Sequence, residues 1–127
     1  MMENQSNIRE IEVKFPNALR KQIKMLDRLG SMLHKQKEMI EKGEYEELFA
    51  TRCEKDQIVR EIRIQGEGIF QLQQEWRVQK NEIPKHVHEN LNSLVTELSQ
   101  MIQTILTREN QNYSLLERTN NYLEFME

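Results

Sequence analysis

Residues 87–126, VHENLNSLVTELSQMIQTILTRENQNYSLLERTNNYLEFM, decide how this chain folds. Alternating steps of four and three from Val87 reach Leu91, Leu94, Leu98, Met101 and Ile105. That is the seam of a helix burying one face against other helices. A second apolar line, Val95, Ile102, Leu106, Tyr113, Leu116 and Leu123, runs beside the first. A face this wide exceeds the seam of a two-stranded coiled coil, so the helix needs two neighbours, or one neighbour and a partner segment. Past Ile105 the first line falters at Arg108 and Asn112, then resumes through Leu115, Thr119, Tyr122 and Met126. A regular front half thus gives way to an irregular, Asn-rich back half.

Working outward, Pro84 suits the start of this helix, and VQKNEI (78–83) breaks the pattern before it. Between 44 and 78, Leu48, Ile58, Ile62, Ile69, Leu72 and Trp76 share an inner face, flanked by Tyr45, Phe49, Val59 and Phe70. Glu44, Glu46 and Glu47 crowd the first turn, where the helix dipole favours acids. Gly66 and Gly68 each cost roughly 1 kcal/mol against Ala in a helix interior. They mark a bend or a close approach by a neighbour. Lys42-Gly43 is a helix stop, and the short connection after it implies an αα-hairpin. Upstream, Leu19, Ile23, Leu26, Leu29, Leu33 and Ile40 form one face, widened by Met25, Met32 and Met39. Ile8, Ile11 and Phe15 share helical spacing, and Pro16 either begins the helix at its first position, the preferred reading, or kinks one already running.

The expected fold is all-α, an elongated antiparallel bundle of three long helices with coiled-coil-like packing. It forms a single helical domain over 1–127, with helices at about 16–42, 44–78 and 84–124. Residues 108–127 combine poor helix formers with large apolar groups. Two readings stay open for them: a mobile tail that waits for a partner helix, or a frayed bundle end whose Asn side chains fix register.

Composition narrows the function. With only four Gly and two Pro but 31% charged residues, the chain has few turns and well-solvated helix faces. A net charge of −3 supplies no basic field for nucleic acid or an anionic membrane. One cysteine, Cys53, precludes an internal disulfide and suits a reducing cytosol. The N-terminal residues lack a signal-peptide core and no run approaches 18 apolar residues, so a cytoplasmic protein without membrane insertion is expected.

Catalytic constellations are not found. His86 and His88 lie two apart, which points them to different helix faces, and HVHEN lacks the i,i+4 zinc spacing. They read as a solvated pair, and Cys53 as a partly buried helix thiol. Glycine-rich phosphate loops and nucleophile elbows are absent. No catalytic, cofactor or metal site is expected; what remains is protein binding through helix faces. The methionines fit either an irregular core or a groove that adapts to varied partners.

Three features bear on the class of binding protein. They are the Gly-acidic turn and Lys-bearing helix in EKGEYEELFATRCEKDQIVREI (41–62), the long last helix of leucine-type repeats, and RENQNYSLLER (108–118). Together they cover roughly 18–123 and resemble the FlgN family of flagellar type III export chaperones. The resemblance implies a small cytoplasmic chaperone for hook–filament junction (hook-associated) proteins. It would bind an amphipathic, aggregation-prone terminal segment, keep its clients soluble and export-competent, and deal with the type III export apparatus. Carried onto this chain, the client site falls on Asn112, Leu115, Leu116 and Leu123, with Tyr113, Thr119, Tyr122 and Met126 as neighbours. The rival reading is a coiled-coil homodimer or scaffold whose last helices pair with each other.

Overall fold

The computed structural model describes the backbone of residues 8–126 and the side chains of residues 8–120. Three long helices account for nearly all of it: α1 (Phe15–Lys42), α2 (Tyr45–Val78) and α3 (Lys85–Met126). No strand occurs among the described residues. The molecule is an all-α bundle.

The backbone is already helical at Ile8, the first described residue, well before Pro16. The turn Glu10–Lys14 is wound as a π-helix, in which the Phe15 N–H reaches back to Glu10 O. In a regular α-helix the Pro16 ring would strike the carbonyl four residues earlier. The wider turn before it relieves that clash, so a helix continues where the sequence suggested a beginning.

Gly43 ends α1 in the left-handed conformation (φ 72°, ψ 22°). Its N–H bonds to Ile40 O at 3.2 Å, and the Glu44 N–H bonds to Met39 O at 2.8 Å. These two bonds satisfy carbonyls that a helix end would otherwise leave orphaned. The chain then reverses at once into α2. At the far end, Pro84 O accepts from the Val87 and His88 N–H groups and opens α3.

Inter-helix hydrogen bonds define the topology. Gln22 reaches Ile62 O and Gln36 reaches Thr51, so α2 runs antiparallel to α1. Arg108 reaches Gly30 O and Asn112 reaches Leu33 O, so α3 runs parallel to α1. The helix between them in space is α1, which buries eleven of its 28 residues, whereas α2 buries only Ile58 among 34. Both outer helices lean on α1 and approach each other much less closely.

Two apolar clusters hold the bundle. The lower joins Ile11, Phe15, Leu19, Ile83, Val87 and Leu91, with Ile69, Leu72 and Trp76 packed against it. The upper joins Leu26, Leu29, Met32, Leu33, Ile58 and Ile105. The first apolar line of α3 supplies both clusters and turns inward as its spacing requires. Its second line splits: Val95 packs against the lower cluster and Leu116 is half-buried, whereas Ile102, Leu106 and Tyr113 are 40%, 49% and 69% exposed. Among the methionines of α1, Met32 is buried in the upper cluster, while Met25 and Met39 are half-buried.

The close approach by a neighbour falls at Gly30, where α3 side chains press on α1. A Cβ there would stand 3.0 Å from Arg108 Nη1 and 3.2 Å from Ile105 Cδ1. Gly66 and Gly68 admit no neighbour of this kind: a Cβ would meet only Gln22 Nε2 at 4.0 Å at the first, and nothing within 4 Å at the second.

Candidate functional site

Above the upper cluster the helices leave a groove of about 560 Å³. Its floor is α1 (Leu33, Gln36, Ile40), and its walls are Leu48, Phe49 and Arg52 of α2 and Asn112, Tyr113 and Leu116 of α3. It runs on into a second space of about 510 Å³ edged by Tyr45, Glu117 and Asn120. The groove exists because both walls stand on one floor helix and scarcely touch each other there. Phe49 and Tyr113, 65% and 69% exposed, rise from opposite walls.

Polar contacts fix the walls in place. Lys55 Nζ meets Glu109 Oε1 at 2.9 Å across the groove and joins α2 to α3. Gln36 Nε2 donates to Thr51 Oγ1 at 3.1 Å, and that hydroxyl donates to Leu48 O at 2.7 Å. On the other wall, Asn112 Nδ2 donates to Leu33 O at 2.9 Å and Arg108 Nη1 to Gly30 O at 3.0 Å. These are the two positions where the apolar line of α3 falters. Each replaces an apolar contact with a bond to the α1 backbone, which sets the register of the parallel pair.

The residues expected to bind a partner do not all come together. Tyr113 and Leu116 share the groove, with Asn112 at its base. Asn112 is buried and its amide is held by Leu33, so it offers a client a surface and not a free donor. Leu115, one residue from Leu116 and hence about 100° around the helix, faces a shallower polar hollow beside Lys37, Thr107 and Arg118. Thr119 is half-buried, and its hydroxyl donates to Leu115 O at 2.9 Å. The side chains of Tyr122, Leu123 and Met126 lie outside the described residues.

Sequence reasoning missed the other half of the groove: Ile40 on the floor, and Tyr45, Leu48 and Phe49 on the α2 wall. The available signal was the density of large apolar groups directly after the Gly43 turn.

Two side chains behave otherwise than expected. Cys53 is exposed, because α2 buries only a narrow line in this half and residue 53 points roughly 200° away from Thr51 on that line. His88 is not a solvated histidine. Trp76 Nε1 donates to its Nδ1 at 2.8 Å, and its Nε2 contacts Lys80 O at 2.7 Å. An indole only donates, so the imidazole proton sits on Nε2 and bonds to that carbonyl. His88 thereby ties the end of α2 to the start of α3. No group of three or more His, Cys, Asp or Glu is placed to hold a metal among the described residues, and none of the helices is long and apolar enough to cross a membrane.

A family model described as FlgN protein matches residues 14–126. The chain belongs to the FlgN family. This is a family of flagellar export chaperones, and the match takes in all three helices and every wall of the groove. No curated protein and no solved structure matches the chain. The groove is formed by α2 as much as by the last helix.

Proposed function

We propose that this chain is an ATP-independent chaperone that holds an amphipathic terminal helix of hook–filament junction proteins in the α1–α2–α3 groove. It acts in the cytoplasm, keeps the clients soluble and passes them to the type III export apparatus. The observation that carries the reading is the pair of exposed aromatics, Phe49 and Tyr113, on opposite walls of a groove floored by Leu33, Gln36 and Ile40. An amphipathic helix laid there supplies the fourth element that the wide face of α3 lacks.

The energetics suit a carrier that must let go. A large aromatic side chain buries roughly 150–250 Å². Covering the exposed two-thirds of Phe49 and Tyr113 therefore removes roughly 250 Å² from water, worth about 6 kcal/mol at ~25 cal/mol per Å². Association and ordering cost a comparable amount, so the two rings offset that cost and the remaining contacts along the walls supply the net, moderate affinity.

Titration calorimetry against the terminal segments of hook-associated proteins from the same genome tests this. Tyr113→Ala is expected to weaken binding roughly 10–100-fold while leaving the melting curve nearly unchanged, since the ring is mostly in water in the free chain. Leu116→Asp is expected to abolish binding with helix content retained. Binding equal to wild type in both variants would refute the site. A second copy of the chain is the competing occupant; a tight dimer that Tyr113→Ala dissociates, with no affinity for those segments, would favour the scaffold reading.

A further inference from the structure

We infer that residues 45–65 of α2 form a strap, hinged at Gly43 and at the Gly66–Gly68 pair, that swings away from α1 to widen the groove and closes over its contents. The lower hinge coincides with a flaw in the core. Gln22 occupies an α1 position between Leu19 and Leu26 that the apolar period assigns to the interior, and it is only 6% exposed. Its Nε2 donates to Ile62 O at 3.1 Å, but its Oε1 is buried without a partner. Opposite it, Gln65 Oε1 is also buried and unpaired. Two unsatisfied amide oxygens at one level weaken the α1–α2 seam, because both regain hydrogen bonds when water enters. This polar layer lies on α1 between the residues of the two clusters, which Leu98 of α3 bridges.

Gly66 and Gly68 lie at the same level, and no packing accounts for either of them. Glycine gives the α2 backbone its least resistance to bending there. On one side of the pair the helix is anchored: Ile69, Leu72 and Trp76 enter the lower cluster, and Trp76 meets Phe15 edge-on at 5.9 Å. On the other side the hold is one apolar line, Ile58 with Val59 and Ile62 against the upper cluster, and two side-chain hydrogen bonds, Gln36 to Thr51 and Gln22 to Ile62 O, with no described aromatic pair like Trp76 on Phe15. The strap's ion pairs to the neighbouring helices, Arg28–Glu54 at 3.6 Å and Lys55–Glu109 at 2.9 Å, are solvent-accessible and individually weak. Tyr45, Leu48 and Phe49 ride on this segment, so its movement resets the width of the groove. The motion is a property of the free chain; its bearing on client capture rests on the function proposed above.

Native-state hydrogen exchange on the free full-length chain tests it. Amides of residues 45–62 are expected to exchange through an opening that leaves 69–78 protected, with a step in protection at the glycine pair. The double variant Gly66→Ala/Gly68→Ala is expected to slow exchange in 45–62 by roughly thirtyfold, about fivefold per glycine, from helix propensity alone. Asn92→Ala, an exposed helix-stabilising change in α3, serves as the control: it slows 69–78 and leaves 45–62 as in wild type. Uniform protection across the glycines, an unaltered 45–62 in the alanine pair, or equal slowing of both segments by Asn92→Ala would each overturn the strap. Loss of client binding with the step intact would instead count against the export role alone.

Discussion

Asn112→Ala separates a residue that holds the bundle from one that holds a client. In the free chain Asn112 is 7% exposed and donates to Leu33 O at 2.9 Å, linking helices 79 positions apart in sequence. Leu33 O lies inside α1 and keeps its own helical partner, so the substitution removes a bond without orphaning a buried acceptor. A bond of this kind contributes about 1 kcal/mol net. The void left by the amide costs a further ~1 kcal/mol. Alanine returns about 0.6 kcal/mol through its better helix propensity. The net expectation is a loss of about 1–1.5 kcal/mol, or a drop in Tm of roughly 3–6 °C for a domain of this size. Urea denaturation followed by circular dichroism reads this as a lower midpoint with unchanged slope. Client affinity should fall only as far as the folded fraction does. Unchanged stability with sharply weakened binding would refute the reasoning and make Asn112 a contact of the client. Asn112→Leu adds a check on register: it fills the void, so stability should stay within about 1 kcal/mol of wild type while the fixed α1–α3 alignment is lost.

Other expectations concern single positions. Gly30→Ala places a methyl 3.0 Å from Arg108 Nη1 and 3.2 Å from Ile105 Cδ1, and should destabilise by about 1 kcal/mol after its gain in helix propensity. Gly68→Ala, which meets no atom within 4 Å, should stabilise by a similar amount, and the two melting curves should move in opposite directions. At the head of α2, the hydrogen bond that a protonated Glu47 donates to Glu44, together with the negative charge of Glu44, holds the Glu47 carboxyl above its ordinary pKa of 4.5. A raised carboxyl pKa means the folded chain binds more protons, so this pair favours the fold at acid pH and opposes it as pH climbs above 4.5 through the folded value. Glu44→Gln should lower the Glu47 titration midpoint, read by NMR, and flatten that pH dependence.

The exposed aromatics give the clearest link from packing to use. α1 serves both neighbours and has no apolar surface to spare beyond Ile40, so α2 and α3 part above the upper cluster. Phe49 and Tyr113 then stand in water on the two walls, above a floor that α1 supplies.

Periodicity was enough to establish helices, their approximate limits and an α3 face too wide for one neighbour, because burial on a helix recurs every 3.6 residues whatever the partner is. The stop at Gly43 and the start at Pro84 were likewise legible, since left-handed φ and a missing N–H are local properties. Tertiary structure decided the rest. A period names a face but not what covers it, so it did not separate Leu115 from Leu116 or place Phe49 opposite Tyr113. Arg108 and Asn112 looked like breaks in a seam until the α1 carbonyls they bind were in view, because a side-chain bond to a distant backbone leaves no spacing to read. Gly30 carried no sequence mark at all; only the approach of α3 shows why a side chain is missing there.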